Sequence, residues 1–175
     1  MKTKIIVLIL VFALVGMLTG CGLTVPRPEV KEGRFDFSIT YEIKGEVKTF
    51  SAVYVCEFDG TSWSLEGGDF SRDWKDHVEG DYEGDTYSAT VGTTDDGGNI
   101  IIFFGIYPEY FMSDPEVGDR GVPEPFIYVS FPENEFGESS HVAIPEEVEE
   151  IYGAKILSYQ YDEPIENSFR MFDFN

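Results

Sequence analysis

The chain has 175 residues, with 33 acidic against 12 basic side chains and a formal net charge of −21 at neutral pH. That balance repels nucleic acid and anionic lipid within the roughly 8–10 Å over which charges act at physiological salt, and it points to cations, cationic groups or neutral polymers as partners. Intrinsic disorder, the other outcome of high acidity, is excluded by 15 Phe, 10 Tyr and 2 Trp, which disordered acidic segments lack.

The first element is a leader. Met1-Lys2-Thr3-Lys4 is a basic start, and the apolar run 5–18 carries no charged residue. A comfortable bilayer crossing takes about 20 residues, so this run is short, and a basic start before an apolar run before small residues is the layout of a secretory signal. The signal is expected over 1–20. Leu18-Thr19-Gly20-Cys21 then closes it. This tetrapeptide resembles the lipobox of bacterial lipoproteins, in which the cysteine thiol receives diacylglycerol and the signal is cut just before it. Small side chains let a protease reach the backbone, and a thiolate is the nucleophile that accepts the lipid readily. The resemblance implies a lipidated Cys21 and an exported domain anchored to the bacterial cell membrane on its extracytoplasmic face. It implies no activity. With Cys21 acylated, Cys56 is the remaining thiol, so no intrachain disulfide is expected.

Residues 22–33 (GLTVPRPEVKEG) mix proline, glycine and both charges and read as a semi-extended tether; with Cys21 they form the expected linker 21–33. At about 3.3 Å per residue the tether reaches roughly 40 Å at most, and repulsion from anionic headgroups would hold the body off the surface. A single domain is expected over 34–175.

From Arg34 the pattern alternates strictly. Phe35, Phe37, Ile39, Tyr41 and Ile43 share one side, Asp36, Ser38, Thr40 and Glu42 the other, which is a half-buried strand. Lys44-Gly45-Glu46 supplies a tight reversal into a second run in which Phe50, Ala52, Tyr54, Cys56 and Phe58 share a face, so a β-hairpin with Cys56 in the core is expected. Asp59-Gly60 reads as a turn before a short third strand, 62–65. The stretch 66–85 is acidic and irregular, holding Trp74 and His77. Strand periodicity resumes at Tyr87, Ala89 and Val91, breaks at Asp95-Asp96-Gly97-Gly98, and returns at 100–104 as a run apolar on both faces, expected to be a central strand covered on both sides. Residues 108–125 read as a proline-rich loop around Tyr110 and Phe111, and 126–131 as a strand. Pro145 at a first helical position, acids behind it and a closing Gly153 predict a helix over 145–152. Strands at 154–161 and 169–174 complete the chain.

About eight strands in series with one short helix predict an all-β fold: an antiparallel β-sandwich of jelly-roll or immunoglobulin-like kind, with an up-and-down β-barrel as the alternative. The chain as a whole is also similar to small lipoproteins of anaerobic bacteria, through the lipobox, the opening hairpin and the tail 155–169. That similarity implies no activity and assigns no residue beyond Cys21.

Candidate chemistry is sparse. Asp81, Glu83 and Asp85 alternate along an extended segment, and Asp95 and Asp96 open a glycine-permitted loop; such oxygen clusters suit Ca²⁺, although neither has EF-hand spacing. In so acidic a chain the same groupings also arise as solvated surface. Trp74, Tyr110 and Phe111 lie outside alternating runs, where aromatic rings could stack on a glycan, although most large aromatics pack in cores. No G-x-S-x-G or H-E-x-x-H occurs, and no catalytic residue is assigned. The sequence thus leads to a lipid-anchored envelope protein acting as a non-catalytic ligand- or protein-binding module, its partners a glycan or an envelope protein. A carboxylate-based hydrolase and a purely structural lipoprotein are the alternatives.

Overall fold

A computed structural model describes residues 25–63, 70–117, 121, 123–132 and 140–170. Cys21 and the leader lie outside the described residues. The chain enters through a short strand, β1 (Arg27–Pro28), and then forms the long strands β2 (Glu32–Ile43), β3 (Glu46–Trp63) and β4 (Phe70–Glu79). β5 (Ser88–Thr93) and β6 (Asn99–Phe103) follow, then the one-turn helix α1 (Pro108–Phe111) and a 3-10 turn at Pro115–Val117. β7 (Phe126–Phe131), β8 (Ser140–Val142), helix α2 (Pro145–Tyr152), β9 (Ala154–Tyr161) and β10 (Phe169–Arg170) complete it.

The alternation of the opening run is realised residue by residue. Phe35, Phe37, Ile39 and Tyr41 of β2 are buried, and the hairpin register pairs Ile43 with Glu46 across Lys44-Gly45. Both turn residues have positive φ, 50° and 83°, the geometry whose twist matches the right-handed twist of paired strands. Asp59-Gly60, expected to end β3, instead forms a bulge. The β3–β4 register shifts between Phe58 and Gly60, and Gly60 takes φ 122°, a conformation a side chain would resist. β3 therefore runs on to Trp63 and β4 pairs with it along its whole length, so residues 70–79 of the stretch expected to be irregular are a strand.

Four antiparallel strands form one sheet in the order β4-β3-β2-β9, and four form a second in the order β5-β6-β7-β8; β1 and β10 make a separate ribbon. The two four-stranded sheets face each other across one hydrophobic core, and the fold is an antiparallel β-sandwich. Phe37 of β2 lies 5.2 Å edge-on to Phe104, Phe50 of β3 stacks on the same ring at 5.1 Å, and Tyr161 of β9 donates its hydroxyl proton to Phe104 O at 2.5 Å. Strands follow chain order around the two sheets, as in a meander, yet among the described residues no ladder joins β4 to β5 or β8 to β9. The barrel alternative is thereby set aside, because the hydrogen bonding of the described strands does not close into a ring.

Helix α2 falls where expected, with Pro145 in its first turn and Gly153 in left-handed conformation at its end (φ 61°); only Val148 of its side chains is buried. β6 is central in its sheet, but Ile100 and Ile102 alone are buried while Ile101 and Phe103 are half-buried, so it is covered fully on one side. The proline-rich loop contains α1, whose Phe111 is in the core, and the expected last strand is described only as β10. The tether differs most. β1 pairs with β10, Glu29 N–H donates to Ser168 O at 2.8 Å, and β2 already starts at Glu32, so residues assigned to a free linker are bound to the domain.

Candidate functional site

The outer face of the first sheet is a groove of about 620 Å³. Register places its polar side chains in two rows. Gln160, Ser38 and Ser51 stand opposite one another across β9, β2 and β3, while Asp36 and Glu79 flank Val53 across β2, β3 and β4. Asp162 closes the β9 end: its carboxylate accepts the Asp36 N–H at 2.8 Å, and its own N–H donates to Asp36 O at 2.9 Å. At the other rim Arg34 holds Glu79 through two bonds of 3.1 and 2.6 Å, and His77 lies 3.6 Å from the same carboxylate. The Arg34 hydrogen bonds, and then its charge, outweigh desolvation and hold Glu79 below the usual carboxylate range. The groove therefore offers hydroxyls, an amide and carboxylates on one face of a sheet. It is suited to hydrogen bonding and to cationic groups.

A second polar centre lies beneath the β3–β4 ladder. Arg72, on the inner face of β4, donates from Nε and Nη2 to the two oxygens of Asp114, at 2.7 and 2.6 Å, and both side chains are buried. Asp114 also accepts the Trp74 indole N–H at 2.9 Å and the Glu116 N–H at 2.9 Å. Arg72 reaches further, to Glu116 Oε1 at 3.1 Å and Pro26 O at 3.0 Å, and its guanidinium sits 4.8 Å over the Phe169 ring. Burial alone would raise the Asp114 pKa; the bonds from Arg72, the Glu116 N–H and Trp74 overcome it and hold the carboxyl below its ordinary value. Every donor and acceptor here is satisfied, which marks a structural clasp between β4, the α1 segment and both chain ends.

The other residues singled out in the sequence separate. Asp85 closes the turn into β5, accepting from Tyr87 N–H at 2.8 Å and Ser88 Oγ at 3.0 Å; Asp81 and Glu83 are exposed beside it. Asp95 pairs with Lys44 at 2.7 Å, with Asp96 exposed next to it. Among the described residues, no three His, Cys, Asp or Glu side chains are gathered to hold a metal ion. Phe111 is 1% exposed, so it packs the core and is no ligand platform. Tyr110 is half-buried against it at 5.2 Å, and Trp74 is half-buried, spent on Asp114 and packed edge-on to Phe58 at 5.5 Å. Cys56 is fully buried, and that burial pushes its thiol up to about 12, so it is inert as a nucleophile. His77 and His141 stand on different sheets, in β4 and β8. No helix among the described residues is long and apolar enough to cross a membrane.

No family model, curated protein or solved structure matches the chain. The groove's chemistry must therefore be argued from its own residues. Sequence reasoning passed over them because Ser38, Ser51 and Gln160 are ordinary solvent-side residues of their strands; their one signal was the polar half of the alternation.

Proposed function

We propose that the chain is a bacterial lipoprotein, acylated at Cys21 and exported, whose β-sandwich is a non-catalytic binding module held at the cell membrane. The lipobox-like tetrapeptide supports the anchor. The observation that carries the binding role is the groove over β2, β3, β4 and β9, where two rows of polar side chains are fixed by strand register. A purely structural lipoprotein has no use for such a groove. A carboxylate hydrolase needs one carboxyl raised in pKa to act as an acid, and Arg34 shifts Glu79 the other way. The ligand is an extended envelope polymer, a glycan or a protein segment, recognised by hydrogen bonds and carrying amino groups to meet Asp36, Glu79 and Asp162.

Two measurements test this. Labelled lipid should enter the wild-type chain and not the Cys21→Ser variant; equal detergent partitioning of the two would remove the anchor. The Cys21→Ser protein should co-sediment with isolated cell-wall sacculi, and Ser51→Arg, which fills the groove from an exposed position, should release it at least about tenfold, the equivalent of roughly 1.4 kcal/mol. Retained binding in Ser51→Arg would move the site elsewhere.

A further inference from the structure

Of the sheet edges formed by the described strands, one is unguarded. An open edge presents unpaired N–H and C=O groups to any other strand, and proteins blunt it by shortness, charge or cover. β8 is only three residues long. β5 is covered by the chain that leads into it: Gly84 bridges to Ala89, Asp85 N–H donates to Ser88 O at 3.0 Å, and Thr90 N–H donates to Glu83 O at 2.7 Å. β4 carries Arg72, Asp73, Lys75, Asp76 and Glu79, and its Arg72 N–H meets the Glu116 carboxylate. β9 ends the order β4-β3-β2-β9 with eight residues, of which Ile156-Leu157-Ser158-Tyr159-Gln160-Tyr161 hold neither charge nor proline in a chain with 33 acids.

The second half of β9 is open on both faces. Leu157 is 45% and Tyr159 40% exposed, and Ser158 and Gln160 are exposed with them, where a strand with one face on the core should alternate. Nearer α2 the strand is covered: Ala154 is buried and Lys155 is bonded to Glu149 at 2.6 Å. Asp162 N–H donates to Asp36 O, and antiparallel pairs alternate between bonded and unbonded. Gln160 and Ser158 therefore bond to β2, while Tyr159 and Tyr161 turn their N–H and C=O groups away from it. Among the described residues these outward groups meet no other backbone.

We infer that β9 is a self-association edge, through which two copies of the chain pair antiparallel about Tyr159. A twofold strand pair sets residue i against j and j against i, so the strand must complement itself. Centred on Tyr159, it lays Leu157 opposite Tyr161 and Ser158 opposite Gln160 of the second copy, apolar on aromatic and polar on polar, twice over. The nearest carboxylate along the strand, that of Asp162, stays roughly 20 Å from its counterpart, beyond the ~8 Å over which charges act at physiological salt. Five rungs fall short of the roughly 1,200 Å² of a standard interface, so the dimer is a weak one. Its twofold axis is normal to the sheet, which gives the order β4-β3-β2-β9-β9-β2-β3-β4 with both outer faces on one side. Gln160 and Asp162 already border the groove. On the binding reading above, the two grooves then lie side by side on one sheet, where a single extended polymer meets both.

The full chain in excess detergent micelles reads this edge whether or not Cys21 carries a lipid. Wild type should sediment as monomer near about 10 µM and increasingly as dimer toward about 0.5 mM. Tyr159→Pro removes an N–H that β2 does not use and should stay monomeric with an unchanged melting midpoint; Leu157→Lys, a charge on the same edge, replaces it if that midpoint falls. Tyr159→Cys sets two thiols across the twofold axis, where the Cα atoms of a bonded pair lie about 5.5 Å apart, within disulfide range. Under a mild oxidant it should cross-link at least about tenfold faster than Lys48→Cys, half-exposed on β3. A wild type that is monomeric throughout, dimers that persist in the edge variant, or equal cross-linking at the two positions overturns the pairing. Failure of the sacculus assay with these dimers intact removes the groove reading alone.

Discussion

Asp114 shows how one residue can bind distant parts of a chain. Its two oxygens serve Arg72, Trp74 and the Glu116 N–H, and through Arg72 they reach Pro26. Removing one partner of a buried pair typically costs about 3–5 kcal/mol, because the other charge is stranded. Glu116 remains beside Arg72, so Asp114→Ala is expected at the lower end, near 3 kcal/mol, or roughly 6–12 °C in the melting midpoint. The pH dependence follows from the depressed pKa. A carboxyl lowered on folding contributes stability above its unfolded value of about 3.9 and loses it as pH falls through the folded value. Wild-type and Asp114→Asn melts should therefore differ most at neutral pH and converge below about pH 4; a constant gap down to pH 2 would show that the charge on Asp114 contributes nothing.

At the scale of elements, the bulge in β3 decides which side chain of that strand stands opposite Phe70. Without the extra residue that Asp59 and Gly60 supply, Gly60 and Ser62 would stand opposite Arg72 and Phe70 in place of Thr61 and Trp63. That shift would turn Trp63 to the other face and away from the Phe70 ring, while Trp74, which pairs with Phe58 before the bulge, would stay inward. Gly60→Ala keeps the sequence otherwise intact and should cost about 1–3 kcal/mol by forcing a side chain into a sparsely populated conformation. The added methyl meets no atom within 4 Å, so the loss is read as backbone strain alone. A denaturation midpoint unchanged in Gly60→Ala would show that the bulge is not strained.

For the whole molecule, charge is the dominant surface property. The described ion pairs are mostly exposed, such as Lys44 with Asp95 and Lys75 with Asp59, and such pairs stabilise little. With 33 acids against 12 bases, net self-repulsion should outweigh them. Raising sodium chloride from 10 mM to 0.5 M is expected to lift the melting midpoint of the Cys21→Ser protein by roughly 2–5 °C, as screening relieves the repulsion faster than it weakens the pairs. A midpoint that falls with salt would mean the pairs prevail.

The alternation in β2, the apolar face of β3, the proline and glycine that bound α2, and the extent of β9 were all legible in the sequence, because each is set by local periodicity or by a residue with a restricted backbone. β4 was not, since its inner positions, Arg72, Trp74, Asp76 and Val78, mix charge with apolar surface. Arg72 is tolerated there only because Asp114, 42 positions away, meets it, and Tyr54 likewise donates to Asp76 at 2.6 Å from β3. Asp59-Gly60 carried a true signal, a need for positive φ, but a turn and a bulge make the same demand, and only pairing with β4 distinguishes them. The sequence by itself determined the class of fold, the burial of Cys56 and the lipobox-like tetrapeptide on which the anchor is proposed. The tertiary structure alone decided that the sandwich stays open, that residues 26–30 are bound to the body, and which polar side chains line one groove, because strand order and register join residues that no local pattern connects.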